Sequence, residues 1–167
     1  MATMKFLTVL IASLIVPSLV NAATIEAEIS IRSIKDITIA YLGLTNDDAA
    51  ECAEVCISQG VHLAFANDQR NDQPYFIAGA DLLAKITGGA VWARWGLGLS
   101  FFDRQTERLS TPWALHGSLQ SGYRWVACTF HHWSNGRAFA EKLHIEQYWP
   151  DKNDGPNAIT CGVTLRF

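Results

Sequence analysis

The final eleven residues, NAITCGVTLRF (157–167), constrain the fold more than any other stretch of this chain. Successive side chains of a β-strand point to opposite faces, so a period of two marks a strand with two distinct faces. The even positions here are small, hydroxylated or charged. The odd positions after Asn157 are all apolar: Ile159, Cys161, Val163, Leu165 and Phe167. The segment is therefore predicted to be a strand with one oily face.

Similar alternation recurs in seven earlier segments, which are separated by turn-forming residues. They are residues 24–34, 37–44, 60–67, 74–85, 90–103, 112–124 and 124–134. The segment 46–56 is rich in Ala and Glu, and is predicted to be helical or loop-like. Several runs are about ten residues long and aromatic, as membrane-spanning strands are. A soluble sandwich would show similar alternation.

The last strand decides between these two architectures. Its Thr160, Gly162, Leu165 and final Phe167 resemble the C-terminal signal of bacterial outer-membrane barrel proteins. Only a closed barrel satisfies every backbone hydrogen-bonding group in lipid. We therefore expect an all-β fold, an eight-stranded antiparallel up-and-down outer-membrane β-barrel, with a periplasmic sandwich as the alternative.

The first residues have the features of a secretory signal peptide. One lysine precedes an apolar run over 6–16, and the segment ends in the small-residue sequence Val20-Asn21-Ala22. The alternative is a transmembrane anchor helix, but the run is shorter than such a helix requires. We expect a signal peptide over 1–22 and a single barrel domain over 23–167, integral to the bacterial outer membrane.

Charge and cysteine content narrow the function classes. The net charge of −3, with both signs scattered, offers no basic field for nucleic acid, so no nucleic-acid partner is expected. Four cysteines in an exported chain permit two disulfides, and Cys52 and Cys56 are close enough to bridge within one loop. Free thiols remain equally open there. No cysteine or histidine cluster has the spacing of metal ligands, so neither metal nor cofactor is expected.

His132 and Ser134 stand two residues apart at the end of the penultimate strand, and so share a face. Val126, Cys128 and Phe130 lie on the same face, which is therefore predicted to point outward. With both termini on the periplasmic side, this strand runs outward and ends at the outer rim. Polar groups on a lipid-facing surface are expensive and indicate function. The alternative is that both are ordinary interfacial residues.

The pairing of the last two strands follows from the same pattern. If His132 stands opposite Asn157, the antiparallel register brings Cys128 beside Cys161, with both pointing outward. These cysteines could form a cross-strand disulfide or remain two apolar neighbours. Thiols are slightly favoured, because such bridges strain a sheet.

The segments HWSNG (132–136) and NDGPN (153–157) resemble the active-site region of the PagL lipid A 3-O-deacylase family. The stretch 96–113 resembles its members more loosely. That family consists of eight-stranded outer-membrane barrels that hydrolyse the ester holding a 3-hydroxyacyl chain to lipid A, using a serine, a histidine and an acidic residue. The resemblance implies Ser134 as the nucleophile, His132 as its general base and Asn135 as a contributor to the oxyanion hole.

The chain departs from this pattern at the acidic residue, because Asn157 stands where the family has glutamate. An amide can accept a hydrogen bond from the imidazole and fix its tautomer, but it supplies no charge. Asn157 is the preferred orienting residue, and Asp154, Asp151 and Glu146 are alternatives from the long segment 136–156. His131 is expected on the opposite face, without a catalytic role.

The resemblance implies a serine esterase whose substrate is lipid A, the membrane anchor of lipopolysaccharide. Three cations of the adjoining loop, Arg137, Lys142 and Lys152, could attract its phosphates, although a solvated loop explains them equally well. Tyr148 and Trp149 suit an interfacial aromatic girdle. Alternatives are a phospholipase or acyltransferase on the same barrel, and a non-enzymatic barrel whose triad has decayed at Asn157.

Overall fold

The computed structural model describes residues 24–34, 37–46, 55–68, 73–105, 110–145 and 155–166. These residues form eight β-strands and one short helix. The elements are β1 (Thr24–Ile34), β2 (Ile37–Thr45), β3 (Val55–Asp68), β4 (Gln73–Gly88), β5 (Val91–Phe102), β6 (Trp113–Tyr123), β7 (Val126–Ser134), α1 (Arg137–Lys142) and β8 (Asn157–Arg166). The predicted signal peptide over 1–22 lies outside the described residues.

The eight strands close into a barrel in which each strand pairs antiparallel with its neighbour in sequence. Closure comes from β1 and β8, which pair from Thr24 opposite Arg166 to Ile34 opposite Asn157. A closed sheet has no unpaired edge. The predicted all-β, eight-stranded, antiparallel up-and-down barrel is confirmed, and the sandwich alternative is wrong.

The strand boundaries follow the predicted ones closely, with one clear difference in β3. This strand begins at Val55 rather than at residue 60, so the end of the segment predicted to be helical or loop-like is extended. Its side chains alternate from the start, with Val55 and Ile57 exposed and Cys56 and Ser58 buried. Pairing with β4, which places Val55 opposite Ile86, outweighs the weak local preference of these residues.

The barrel is apolar outside and polar inside. Large hydrophobic side chains are exposed on every strand, including Ile57 at 80% and Leu97 at 66%, whereas the lumen buries Glu26, Glu28 and Asp81. Glu26 forms an ion pair with Arg94 across this lumen. A soluble domain has the reverse arrangement, since burial of apolar area drives its folding.

An apolar layer closes the lumen at the end of the barrel where β7 finishes and β8 begins. Its members are mutually packed and nearly inaccessible to solvent: Ile37, Ile39, Ala64, Ala66, Tyr75, Ile77, Phe102, Ala114, Trp133 and Ala158. The polar side chains lie below this layer. Among the described residues, no helix is both long and apolar enough to cross a membrane.

Candidate functional site

The penultimate strand separates its side chains cleanly between the two faces of the barrel wall. Thr129, His131 and Trp133 are buried in the lumen, whereas His132 is exposed on the outer face and Ser134 is half-buried there. The predicted outward face of His132 and Ser134 is confirmed. His131 lies in the lumen, as expected from its odd position.

The register between β7 and β8 is also as predicted, with His132 opposite Asn157 and Cys128 opposite Cys161. The two cysteines are joined by a disulfide, with their Cα atoms 4.0 Å apart. The slight preference for free thiols was wrong, because direct opposition on the outer face already brings the two sulfurs together. Cys56 is disulfide-bonded as well, and the described part of the chain contains no free cysteine. Cys52 lies outside it.

His132 and Asn157 form the central contact of the site. The distance from Nδ1 of His132 to Oδ1 of Asn157 is 2.5 Å. An amide oxygen only accepts hydrogen bonds, so Nδ1 of the ring carries the proton and donates it. Neutral His132 then has an unprotonated Nε2, the nitrogen that a general base uses.

Ser134 ends β7 and takes part in the turn that follows. Its Oγ accepts a hydrogen bond from the backbone N–H of Gly136 at 3.2 Å. This contact occupies a lone pair and leaves the hydroxyl proton available to another acceptor. Between residues 126 and 145, all of which are described, no hydrogen bond joins Ser134 to the ring of His132, so the predicted pair shares a face without being hydrogen-bonded.

Asn135 turns inward immediately after Ser134 and is completely buried. Its Oδ1 accepts a hydrogen bond from the backbone N–H of Arg137 at 3.2 Å, at the start of α1. This contact resembles a helix cap and fixes the direction in which the chain leaves the strand. The oxyanion role of Asn135 stays a prediction.

The residues just before β8 hold Asn157 in place. The backbone N–H of Trp133 donates to the carbonyl oxygen of Pro156 at 3.1 Å. A Cβ atom on Gly155 would lie 2.4 Å from the carbonyl oxygen of Trp133, so only glycine fits this approach without a shift. Trp133 itself is anchored in the lumen, where its indole N–H donates to Ser100 Oγ at 3.0 Å.

Two of the remaining polar candidates, Arg137 and Lys142, lie on α1, which follows β7. The side chain of Arg137 forms an ion pair with Glu141 at 3.2 Å along α1, and Lys142 is exposed. Other residues that the sequence brought into consideration lie outside the described residues: Glu146, Tyr148, Trp149, Asp151, Lys152 and Asp154. Within the described part, Asn157 is the side chain that orients His132.

A shallow apolar concavity of about 660 Å³ lies on the outer wall, across β8, β1, β2, β3 and β4. Small side chains, Ala27 and Ala40, line it together with Phe65 and Phe76. It reaches Cys161, four residues and about 13 Å along β8 from Asn157. This feature could not be predicted from the sequence, because its residues come from five strands.

A buried polar cluster fills the lumen below the apolar layer. Asp81 accepts hydrogen bonds from His62 and His116 at 2.8 Å each, and His116 contacts His131 at 3.1 Å. His131 in turn lies 3.3 Å from Glu28. Sequence reasoning missed this cluster because its members are far apart in the chain and meet only through the barrel register.

Comparisons with protein-family models, with curated proteins and with solved structures found no match to this chain. The resemblance of segments 132–136 and 153–157 to a deacylase family therefore stays a prediction.

Proposed function

We propose that this chain is an outer-membrane serine esterase that hydrolyses the ester-linked 3-hydroxyacyl chain of lipid A, as the PagL family does. The observation that carries the proposal is the hydrogen bond from His132 to Asn157 on the outer wall, on the face that also holds Ser134. Acyl transfer through a covalent serine intermediate requires a serine nucleophile and an oriented imidazole that acts as its general base.

The distribution of apolar side chains supports a location in a lipid bilayer. Full exposure of one leucine or isoleucine forgoes about 1.5–3 kcal/mol of burial free energy. Exposed apolar residues on every strand of a closed barrel, such as Leu63, Leu82 and Leu119, match the outward apolar band of transmembrane barrels. Lipid chains would cover this surface, and the polar lumen would stay away from them.

The chemistry follows from the tautomer of His132. Nε2 of His132 takes the proton of the Ser134 hydroxyl as its Oγ attacks the acyl carbonyl carbon, which forms a tetrahedral oxyanion. The oxyanion collapses, the bond from carbon to the sugar oxygen breaks, and His132 returns the proton to that oxygen. Water then attacks the Ser134 ester with the same base, releasing the 3-hydroxy fatty acid and restoring the serine.

The first step requires Ser134 and His132 to approach each other. Residues two apart on a strand are separated by about 6.6 Å along it, and both side chains rotate about χ1. Catalytic hydrogen bonds are often long before substrate binds. During attack, Ser134 Oγ would lose or share the hydrogen bond that it accepts from the Gly136 N–H.

Asn157 sets an upper limit on the rate of this reaction. It fixes the His132 tautomer, but it carries no charge to stabilise the imidazolium that forms during attack. In a serine triad, replacing aspartate by asparagine costs about 10⁴-fold in rate, chiefly because the amide favours the wrong histidine tautomer. Asn157 accepts from Nδ1 of His132 and keeps the productive tautomer, so here only the missing charge slows the reaction. The proposal is therefore for a slow esterase.

The position of the site favours a lipid substrate with a polar head. An acyl chain whose ester lies beside Asn157 would meet the outer concavity at Cys161, about 13 Å further along β8. The exposed Lys142 of α1 lies beyond the end of β7, where a phosphate of the lipid A sugar would lie. Cation to phosphate contacts of this kind are strong when hydrogen-bonded.

Expression of the chain in a Gram-negative host, followed by mass spectrometry of the host lipid A, tests the proposal. We expect lipid A to lose the mass of one 3-hydroxyacyl chain with the wild-type protein and to stay intact with Ser134→Ala. Ser121→Ala is the matched control, because Ser121 is exposed on the outer face of β6, opposite Cys128. Unmodified lipid A despite folded, surface-located wild-type protein would overturn the proposal. Loss of phospholipid chains instead would favour a phospholipase.

A further inference from the structure

We propose that the lumen binds one divalent transition-metal cation of the Zn²⁺ type, held by His62, Asp81 and His116. The site is separate from the outer wall and its role is structural. It does not depend on the proposed esterase activity.

Three strands bring the ligand atoms together. His62 lies on β3, Asp81 on β4 and His116 on β6. One ligand atom from each lies within 4.8 Å of the others, and all three residues are buried. Nδ1 of each histidine faces a different oxygen of the same carboxylate at 2.8 Å. A cation between the two rings would replace two N–H donors and join the same three side chains.

Two glycines make room for this group of side chains. Gly79 is the cross-strand partner of His62, and a Cβ atom there would lie 2.6 Å from the imidazole ring. Gly98 lies between Asp81 and His116 in the register. A Cβ on Gly98 would lie 2.1 Å from Oδ1 of Asp81. Both positions lack the side chain that would fill the site.

Each candidate histidine ligand has an outer partner on its second nitrogen. Nε2 of His62 lies 2.9 Å from Ser100 Oγ, and Nε2 of His116 lies 3.1 Å from Nδ1 of His131. Metal-binding histidines almost always use their other nitrogen in this way, which fixes the ring and the tautomer. Both rings present Nδ1 to the carboxylate and Nε2 to an outer partner.

The direction of the hydrogen bonds also suits a bound cation. With a cation on both Nδ1 atoms, each neutral ring carries its proton on Nε2. His62 then donates to Ser100, and His116 donates to Nδ1 of His131. The Nε2–H of His131 faces the Glu28 carboxylate at 3.3 Å. Each of these hydrogen bonds then has one donor and one acceptor, with all three imidazoles neutral.

The donor set selects the class of cation. Two imidazole nitrogens and one carboxylate suit Zn²⁺ and its transition-metal neighbours, whereas Ca²⁺ and Mg²⁺ prefer oxygen ligands. Burial of the Asp81 carboxylate is costly without a compensating positive charge, and a cation supplies one. Because the lumen is packed, the cation would enter before the barrel closes.

The test uses the barrel purified without a histidine tag, unfolded with a chelator and refolded in detergent with a small excess of Zn²⁺. After gel filtration, metal analysis should find about one Zn²⁺ per folded chain. Asp81→Asn and His116→Gln should each weaken retention by about 10- to 100-fold, comparable to or larger than the loss of an outer partner. His144→Gln, which changes an exposed histidine, should retain the metal.

Wild-type protein that folds but keeps no Zn²⁺ would overturn the proposal, as would equal retention in all three variants. If the lumen variants fail to fold, X-ray absorption on the wild-type protein decides. Two imidazole nitrogens and carboxylate oxygen at about 2.0–2.2 Å from the zinc support the site. A shell with sulfur, with oxygen alone or with a single imidazole contradicts it.

Discussion

Cys128 and Cys161 are joined across β7 and β8, four residues along each strand from the pair His132 and Asn157. Both pairs lie on the outer face of the same two strands. A one-residue slip between the strands would send one member of each pair to the opposite face. The disulfide therefore holds the register that places Asn157 opposite His132.

Removal of this disulfide should lower the free energy of unfolding. For Cys128→Ser combined with Cys161→Ser, we expect a loss of about 2–4 kcal/mol in the free energy of unfolding, because the bridge closes a long loop. Urea unfolding in detergent, followed by gel mobility, measures this. The oxidised variant keeps the disulfide at Cys56, so its comparison with oxidised wild type measures this bridge alone. Equal stability of oxidised wild type and variant would contradict the assignment.

Replacement of Asn157 by aspartate should accelerate ester hydrolysis. The carboxylate would keep the hydrogen bond to Nδ1 of His132 and add the negative charge that stabilises imidazolium. Because the residue is only half-buried, the charge stays partly hydrated. We expect a rise in kcat of about tenfold or more, within the 10⁴-fold range known for serine triads, and a fall for Asn157→Leu. A slower Asn157→Asp enzyme would argue against the orienting role.

The close approach of Gly155 to Trp133 makes a second test of site geometry. Gly155→Ala would place a methyl group 2.4 Å from a backbone oxygen. We expect a loss of about 1–3 kcal/mol in stability from this overpacking, together with reduced hydrolysis as Asn157 moves. Gly117→Ala is the matched control, because its Cβ would lie 3.9 Å from the His132 carbonyl oxygen. Similar results for both variants would contradict a requirement for glycine at position 155.

Filling the outer concavity should impair long acyl chains selectively. Ala40→Phe adds a ring to the lining of this concavity. We expect a higher KM or a lower kcat/KM for lipid A, with hydrolysis of a short soluble ester unchanged. Leu119→Phe, on exposed outer wall of β6, is the control. If it impairs lipid A hydrolysis as strongly as Ala40→Phe, the concavity is not the acyl path.

The sequence was most informative where local pattern and global closure agree. The alternation in β8 predicted its two faces. Asn157 was selected as the partner of His132 by the resemblance, and placing the two opposite each other predicted the pairing of Cys128 with Cys161. Once both strands are assigned to one barrel, antiparallel pairing leaves few registers that keep apolar residues outside. That is why Cys128 and Cys161 were placed together correctly.

What depends on exact distances or on distant strands could not be predicted in the same way. The pairing of the cysteines was foreseen, but the choice between disulfide and thiols needed the Cα separation. His62 and Asp81 are 19 residues apart, and His116 is a further 35 residues along the chain. Their convergence depends on the register of four consecutive strands. The extension of β3 to Val55 depends on its pairing with β4. Local propensity does not include that pairing, and so it predicted a different structure for residues 55 and 56.

The most direct test of the account measures the release of 3-hydroxy fatty acid from lipid A by purified protein, with the intact mass of the acid-quenched protein recorded alongside. The account predicts a 3-hydroxyacyl adduct on Ser134 in the wild type, and a rate reduced by at least about 10³-fold, without adduct, in Ser134→Ala. Equal release by the two proteins would contradict it, and so would an adduct that persists without Ser134.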